Sequence, residues 1–176
     1  MKKSLEIFNL AIKDAEELLS RFDNEQSLHE AKNSEVLKRA GIVMALAAWE
    51  TYVKERFKEE IEIMLCAVNG SLIGNFVQNS VKEDLKRFYN PNSDRTKQLF
   101  KKYFEIDITL SWEWDNYQAP QVRKKLNELI SQRGDAAHKS IISINEPHIV
   151  KRDELEKSIR FLKGLAIATD KVDIHK

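Results

Sequence analysis

Two side chains suited to handling an anion stand five residues apart in the stretch Leu129-Ile130-Ser131-Gln132-Arg133-Gly134-Asp135-Ala136-Ala137-His138. The stretch continues a helical pattern that opens near Pro120, a residue suited to a first helical turn. Arg133 follows Ile130 by three residues and Leu129 by four, so it falls on the apolar face. An arginine there is costly unless it is paired or faces a polar cleft. On an ideal helix Ile130, Gly134 and Ala137 form a line, with Arg133 about 60° to one side and His138 about 80° to the other. A cation and an imidazole then flank a strip of very small residues, where a phosphate or a partner backbone could approach closely. If Gly134 breaks the helix, the two side chains converge further. Either arrangement makes an anion site. The competing reading pairs Arg133 with a glutamate or with Asp135 to lock the fold and leaves His138 on the surface.

The elements that must position this pair read as helices. Leu5, Phe8, Ile12, Ala15, Leu19 and Phe22 recur at steps of three and four, one face of an amphipathic helix. The polar run Asp23-Asn24-Glu25-Gln26-Ser27 is expected to end it. Ser34 offers an N-cap for a second helix from Glu35 to Val68, stopped by Asn69-Gly70. Between Ile42 and Val53 that helix is apolar almost all round, as a helix enclosed by others should be. Residues 71–79 and 80–89 read as two short helices, the latter ended by Asn90-Pro91. Asp94 is expected to cap a basic helix through Phe104, and the alternation of Ile106, Ile108 and Leu110 suggests a short extended segment. Val122, Leu126, Leu129 and Ile130 face inward on the helix carrying Arg133. A last helix from about Asp153 carries Leu155, Ile159, Leu162 and Ala166. The expected architecture is all-α, an up-and-down bundle of four to five main helices forming one domain over residues 1–176.

Composition narrows the chemistry. The 176 residues are 42% hydrophobic and 32% charged, with 29 basic against 28 acidic side chains. That near-neutrality hides an asymmetry. Residues 1–35 carry five basic and eight acidic residues, residues 81–104 seven and three, and residues 121–139 five and two. The two basic segments could meet a polyanion or could be solvated helix faces. A single cysteine, Cys66, leaves no disulfide framework and is expected to be a small buried hydrophobe in a reducing compartment. Lys2 and Lys3 resemble a signal-peptide start, but Lys13, Asp14, Glu16 and Glu17 interrupt the apolar stretch that secretion needs. No run reaches the roughly 18 apolar residues of a bilayer span, so a cytoplasmic protein without a membrane partner is expected. Phosphate-loop, dinucleotide and hydrolase-elbow motifs are absent, and so are helical metal-ligand pairs. No cofactor and no metal is expected. His29, His148 and His175 sit in polar or terminal surroundings and read as surface residues.

Arg133-x4-His138 late in an all-α chain resembles the R-x4–6-H motif of HEPN (higher eukaryotes and prokaryotes nucleotide-binding) domains. The stretch Ala47-Ala48-Trp49-Glu50-Thr51-Tyr52-Val53 is similar to the second helix of the RiboL-PSP and MAE-type HEPN families. The order of a variable basic middle, a motif helix and a final amphipathic helix matches as well. The resemblance implies a metal-independent endoribonuclease, of the kind found among toxins and effectors of abortive infection and antiviral defence. It implies a homodimer in which the motif helices face each other, an RNA substrate and a cognate antitoxin as candidate partner. His138 would then serve as general acid or base around the ribose 2′-OH, and Arg133 would hold the scissile phosphate. The family commonly places a polar residue, often Asn, directly after the arginine; here that position is Gly134. Asp135 comes one residue later, where it could orient His138 or pair with Arg133.

Trp49 and Tyr52 read as core residues, while Trp112 and Trp114 could line the core or stack on bases, with the core favoured. Three readings follow: a HEPN ribonuclease, a catalytically silent HEPN module that dimerises or binds nucleotide or RNA, and a helical scaffold in which Arg133 is structural.

Overall fold

The computed structural model describes residues 2–27, 35–115, 117–138 and 149–175; the side chains of Gln26, Ser27, Glu35 and His138 lie outside this description. Ser34, His29 and His148, considered above, fall outside the described residues. The chain forms α1 (Lys3–Ser27), α2 (Glu35–Leu65), α3 (Leu72–Lys86), α4 (Ser93–Phe104), α5 (Ala119–His138) and α6 (Arg152–Asp170). Short 3-10 turns at Cys66–Val68 and Ile108–Ser111 complete it, and no strand occurs among the described residues. The all-α bundle is as expected.

Length and uniform apolarity make α2 the central element. It packs against α1, α5 and α6. Ile42, Leu46, Trp49, Tyr52, Val53 and Phe57 are buried along it and meet Phe8 and Ile12 from α1. Val122, Leu126 and Leu129 from α5 join Leu155, Leu162 and Leu165 from α6 in the same cluster. The rings of Trp49 and Tyr52 lie 5.6 Å apart, and Trp112 meets Trp49 edge-on at 5.9 Å. Trp49, Tyr52 and Trp112 are thus core residues, each 0% exposed.

Several boundaries differ from the sequence reading, for local reasons. The polar run at 23–27 does not end α1, because it contains neither Gly nor Pro and only the exposed face changes character. Arg152 donates to both Asp23 oxygens at 3.0 and 2.8 Å, holds that carboxyl below its ordinary pKa and ties the end of α1 to α6. The α2 helix stops at Leu65, and residues 66–68 tighten into the 3-10 turn before Asn69 and Gly70, with Gly70 at φ 78°. Residues 72–86 form one helix rather than two, capped by Ser71, whose Oγ accepts from the Gly74 amide at 3.0 Å. The cap of α4 is Asn92, which accepts from the Arg95 amide at 2.9 Å, and Asp94 lies in the first turn instead. The Ile106–Leu110 alternation is not extended. The Asp107 carboxylate accepts from the Thr109 amide at 3.1 Å and hydroxyl at 2.6 Å, so a local turn wins where no strand partner exists. Cys66 is exposed, not buried, because it opens the 3-10 turn after α2, which buries none of its residues, while Leu65 just before it still packs in the core.

Candidate functional site around Arg133

The site is assembled where α5 passes the loop between α3 and α4. That loop is pinned to α2 and α5 from both sides. Trp49 Nε1 donates to the Pro91 carbonyl at 3.0 Å, and Glu50 Oε2 accepts from the Asn90 amide at 3.0 Å. Asn127 Oδ1 accepts from the Ser93 amide at 2.9 Å, and Arg95 Nη1 donates to the Tyr89 carbonyl. The pinning holds Asn90 at φ 50°, in the left-handed region that Asn tolerates better than most residues. In that conformation its side-chain oxygen accepts from Arg133 Nη1. The second Glu50 oxygen takes Lys54 at 2.8 Å, and the Lys54 ammonium sits 5.1 Å from the Tyr89 ring centroid. A relay therefore runs from Glu50 on α2, through Asn90, to Arg133 on α5.

Arg133 is half-buried, as its position on the inward edge of the helix requires. Its partner is a neutral amide, and it forms no ion pair among the described residues. The guanidinium is thus oriented at one nitrogen, and no carboxylate among the described residues meets its charge.

Gly134 does not break the helix, for α5 runs on through His138. A Cβ at Gly134 would meet nothing within 4 Å among the described residues, and Ala137 is exposed, so no described side chain covers the small-residue strip. An unbroken helix also decides the neighbours of Asp135. Positions 133 and 135 are about 200° apart and do not face each other, whereas 135 and 138 share a face at a spacing of three. The backbone of His138 closes α5; its side chain lies outside the described residues.

The end of α5 is held from α2. Arg39 donates through Nε and Nη2 to the Ala136 carbonyl at 2.9 and 2.6 Å. A carbonyl in the last turn of a helix has lost its intrahelical donor, and a cation there also complements the helix dipole. Arg39, Glu50 and Asn90 were not singled out in the sequence. Asn90 was visible only as part of an Asn-Pro helix stop, and nothing in the sequence says that its amide would face α5.

The basic segments separate once placed. In residues 81–104, Lys86 pairs with Glu83, Lys97 with Asp107 and Lys102 with Asp84, at 2.6, 2.8 and 2.6 Å. Much of that charge is neutralised within the surface. Lys125, in the second segment, has no ion pair among the described residues. No group of three or more His, Cys, Asp or Glu side chains that could hold a metal occurs among the described residues. No described helix is long and apolar enough to cross a membrane.

An all-α bundle with an arginine and a histidine in the last turns of its penultimate helix has the make-up of a HEPN domain. The chain belongs to the RiboL-PSP-HEPN family, whose model matches residues 10–172. No curated protein and no solved structure shows significant similarity to it. Membership points to a nuclease or other RNA-related function.

Proposed function

We propose that the protein is a metal-independent endoribonuclease whose site is completed by a second copy of the chain, and that it acts as a toxin or antiviral-defence effector. The observation that carries this reading is Arg133, held by the neutral Asn90 beside an open strip and carrying a charge no described carboxylate offsets. Two α5 helices approaching along Gly134 and Ala137 would bring two Arg133 and two His138 side chains around one cleft. His138 of one protomer takes the proton from the ribose 2′-OH, and the 2′-oxygen attacks the adjacent phosphorus. The bond to the 5′-oxygen breaks, and that oxygen takes its proton from the protonated His138 of the other protomer. Products carry a 2′,3′-cyclic phosphate and a 5′-hydroxyl. Arg133 supports the charge on the pentavalent phosphorane through its planar fork. Asp135, three residues before His138, orients the imidazole.

The test is cleavage of labelled tRNA and single-stranded RNA, in EDTA and in magnesium, by wild type, Arg133→Ala and His138→Ala. Each substitution is expected to lower the rate at least about 100-fold, with thermal unfolding shifted only slightly. Cleavage that survives both substitutions removes these residues from the mechanism. The second reading, a silent RNA-binding or dimerising module, is favoured by one feature, the absence of any polar side chain at Gly134. It predicts a dimer with no cleavage and salt-dependent RNA binding. A large loss of thermal stability in Arg133→Ala would instead return the arginine to a purely structural role.

A further inference from the structure

A cleft of about 660 Å³ lies away from Arg133, between the Glu113–Tyr117 segment, the start of α5 and the exposed face of α6. Its volume falls within the roughly 300–1,000 Å³ of small-ligand sites. Three rings form one wall. Trp114 and Tyr117 are 5.1 Å apart and tilted by 34°, and Phe161 stands 5.6 Å from each. Two backbone hydrogen bonds between Trp114 and Tyr117, at 3.2 and 2.8 Å, keep both rings on the same side of the turn. Of the three, Phe161 is buried, whereas Tyr117 keeps 37% of its surface exposed. The seat of Trp114 depends on Gly164: a Cβ there would come within 2.6 Å of the indole nitrogen. One glycine on α6 thus lets the indole lie directly on the helix backbone.

The rim carries four cations, Lys125, Lys157, Arg160 and Lys171, against two carboxylates, Glu113 and Asp115. Lys125, Lys157 and Lys171 have no ion pair among the described residues; Arg160 reaches Glu156 at 3.0 Å. Shallower recesses continue the cleft in both directions. One shares Tyr117 and Lys125 and adds Gln121, Lys124 and the carboxylate of Glu128; the other shares Glu113 and Lys171 and adds Ser111 and the carboxylate of Asp173. The whole is a trough with rings at its centre and five cations along its length against four carboxylates, and Lys125, Lys157 and Lys171 are the cations with no ion pair among the described residues.

We infer that this trough binds a strand of single-stranded RNA, with one base stacked on the Trp114–Tyr117 pair and flanking phosphates on Lys125, Lys157 and Lys171. Ring stacking with cationic tracking of the backbone is how sequence-tolerant single-strand binders work. The recesses on both sides favour a strand over a free nucleotide. The choice of RNA over DNA rests on the ribonuclease reading. Lys125 sits eight residues before Arg133 on α5, about 12 Å along the helix, so one strand could run from trough to motif.

A 2′-O-methyl decanucleotide lacks the hydroxyl that cleavage needs, so its binding to the wild-type protein can be measured by fluorescence anisotropy without turnover. Lys157→Gln/Lys171→Gln, at exposed positions, is expected to weaken binding about tenfold at 0.1 M salt and to flatten the salt dependence. Tyr117→Ala is expected to cost about fivefold or more through lost stacking. Three results would overturn the inference: unchanged affinity in both variants, a mononucleotide bound as tightly as the decamer, or an altered oligomeric state in the lysine variant, which would make the trough a subunit contact. Its fate is separable from that of the nuclease. Trough variants that bind normally while wild type cleaves RNA sink the trough alone, and tight trough-dependent binding without cleavage sinks only the nuclease.

Discussion

Two charged networks hang from the same helix, and they differ in almost every physical respect. Toward the Arg133 site, Glu50 and Asn90 hold a half-buried guanidinium whose charge nothing described neutralises. One to three turns further along α2, Arg56 and Glu60 are 0% and 1% exposed and form an ion pair. Lys2 and His175 close on the two Glu60 oxygens at 2.7 and 2.6 Å, and Arg56 Nη2 donates to the Val172 carbonyl at 2.9 Å. Burial pulls the Arg56 pKa below its ordinary value, against the opposing pull of Tyr52 and Asp170, and pushes the Tyr52 phenol up. This second network stitches the first residues of the chain, the middle of α2 and the segment after α6 together. Its charges serve one another. No carboxylate among the described residues meets the charge at Arg133, and a charge oriented by a neutral partner can serve a ligand.

The largest effect should therefore appear at the buried end. Glu60→Ala strands Arg56 in the core, and loss of one partner from a buried pair costs about 3–5 kcal/mol. Urea denaturation should show that loss, while, on the proposed ribonuclease reading, the protein that remains folded cleaves RNA at the wild-type rate. Arg56→Met/Glu60→Leu, which removes both charges and keeps the volume, should recover most of it. If the double substitution abolishes cleavage with folding intact, the two networks are not separable and the comparison fails.

A smaller effect tests the relay at the other end. Asn90→Gly keeps the backbone at φ 50° without strain but removes the acceptor for Arg133. A guanidinium that loses its orientation should cost roughly tenfold or more in kcat, while stability falls by at most the roughly 1.5–3 kcal/mol of a hydrogen bond to a charged group. Because Arg133 stays on α5, KM should move little. An unchanged kcat would mean that the helix alone positions the guanidinium and that Asn90 is incidental.

The sequence disclosed the fold through periodicity, and it disclosed Arg133 through a conflict, a cation on an apolar face. Both signals are local. The α2 helix was legible because its apolar residues run all round, as burial on several sides requires. The partners of Arg133 were not legible, since Glu50 and Asn90 are 83 and 43 residues away in the chain. Each satisfies a backbone or side-chain group that only the packed loop presents. Trp112 and Trp114 show the same limit. Two residues apart, they received one reading. Yet Trp112 is buried against Trp49, while Trp114 is half-buried and packs on the outer edge of the core beside Tyr117 and Phe161. Helix boundaries shifted wherever a side chain caught a backbone amide, as at Asn92 and Asp107.

The smallest expected effect lies at a surface network that resembles the buried one in connectivity but not in burial. Asp84 on α3 accepts from Lys102 and from the Tyr103 hydroxyl on α4, both at 2.6 Å. Burial alone would raise the Asp84 carboxyl pKa, but these hydrogen bonds more than offset it and hold it below the ordinary value. A carboxyl whose folded pKa lies below its unfolded value, near 3.9, stabilises the fold at higher pH. That stabilisation is present in full above the unfolded value and is lost as pH falls through the folded one. Asp84→Asn should therefore lower stability at pH 7, by less than about 1 kcal/mol because the side chains are 33% and 54% exposed. The gap between wild type and variant should close in acid, below roughly pH 4. Denaturation curves at pH 7 and pH 3 measure both values. If Asp84→Asn cost as much as Glu60→Ala, burial would not be what separates a structural charge from an available one. The argument for Arg133 as the functional cation would then lose its footing.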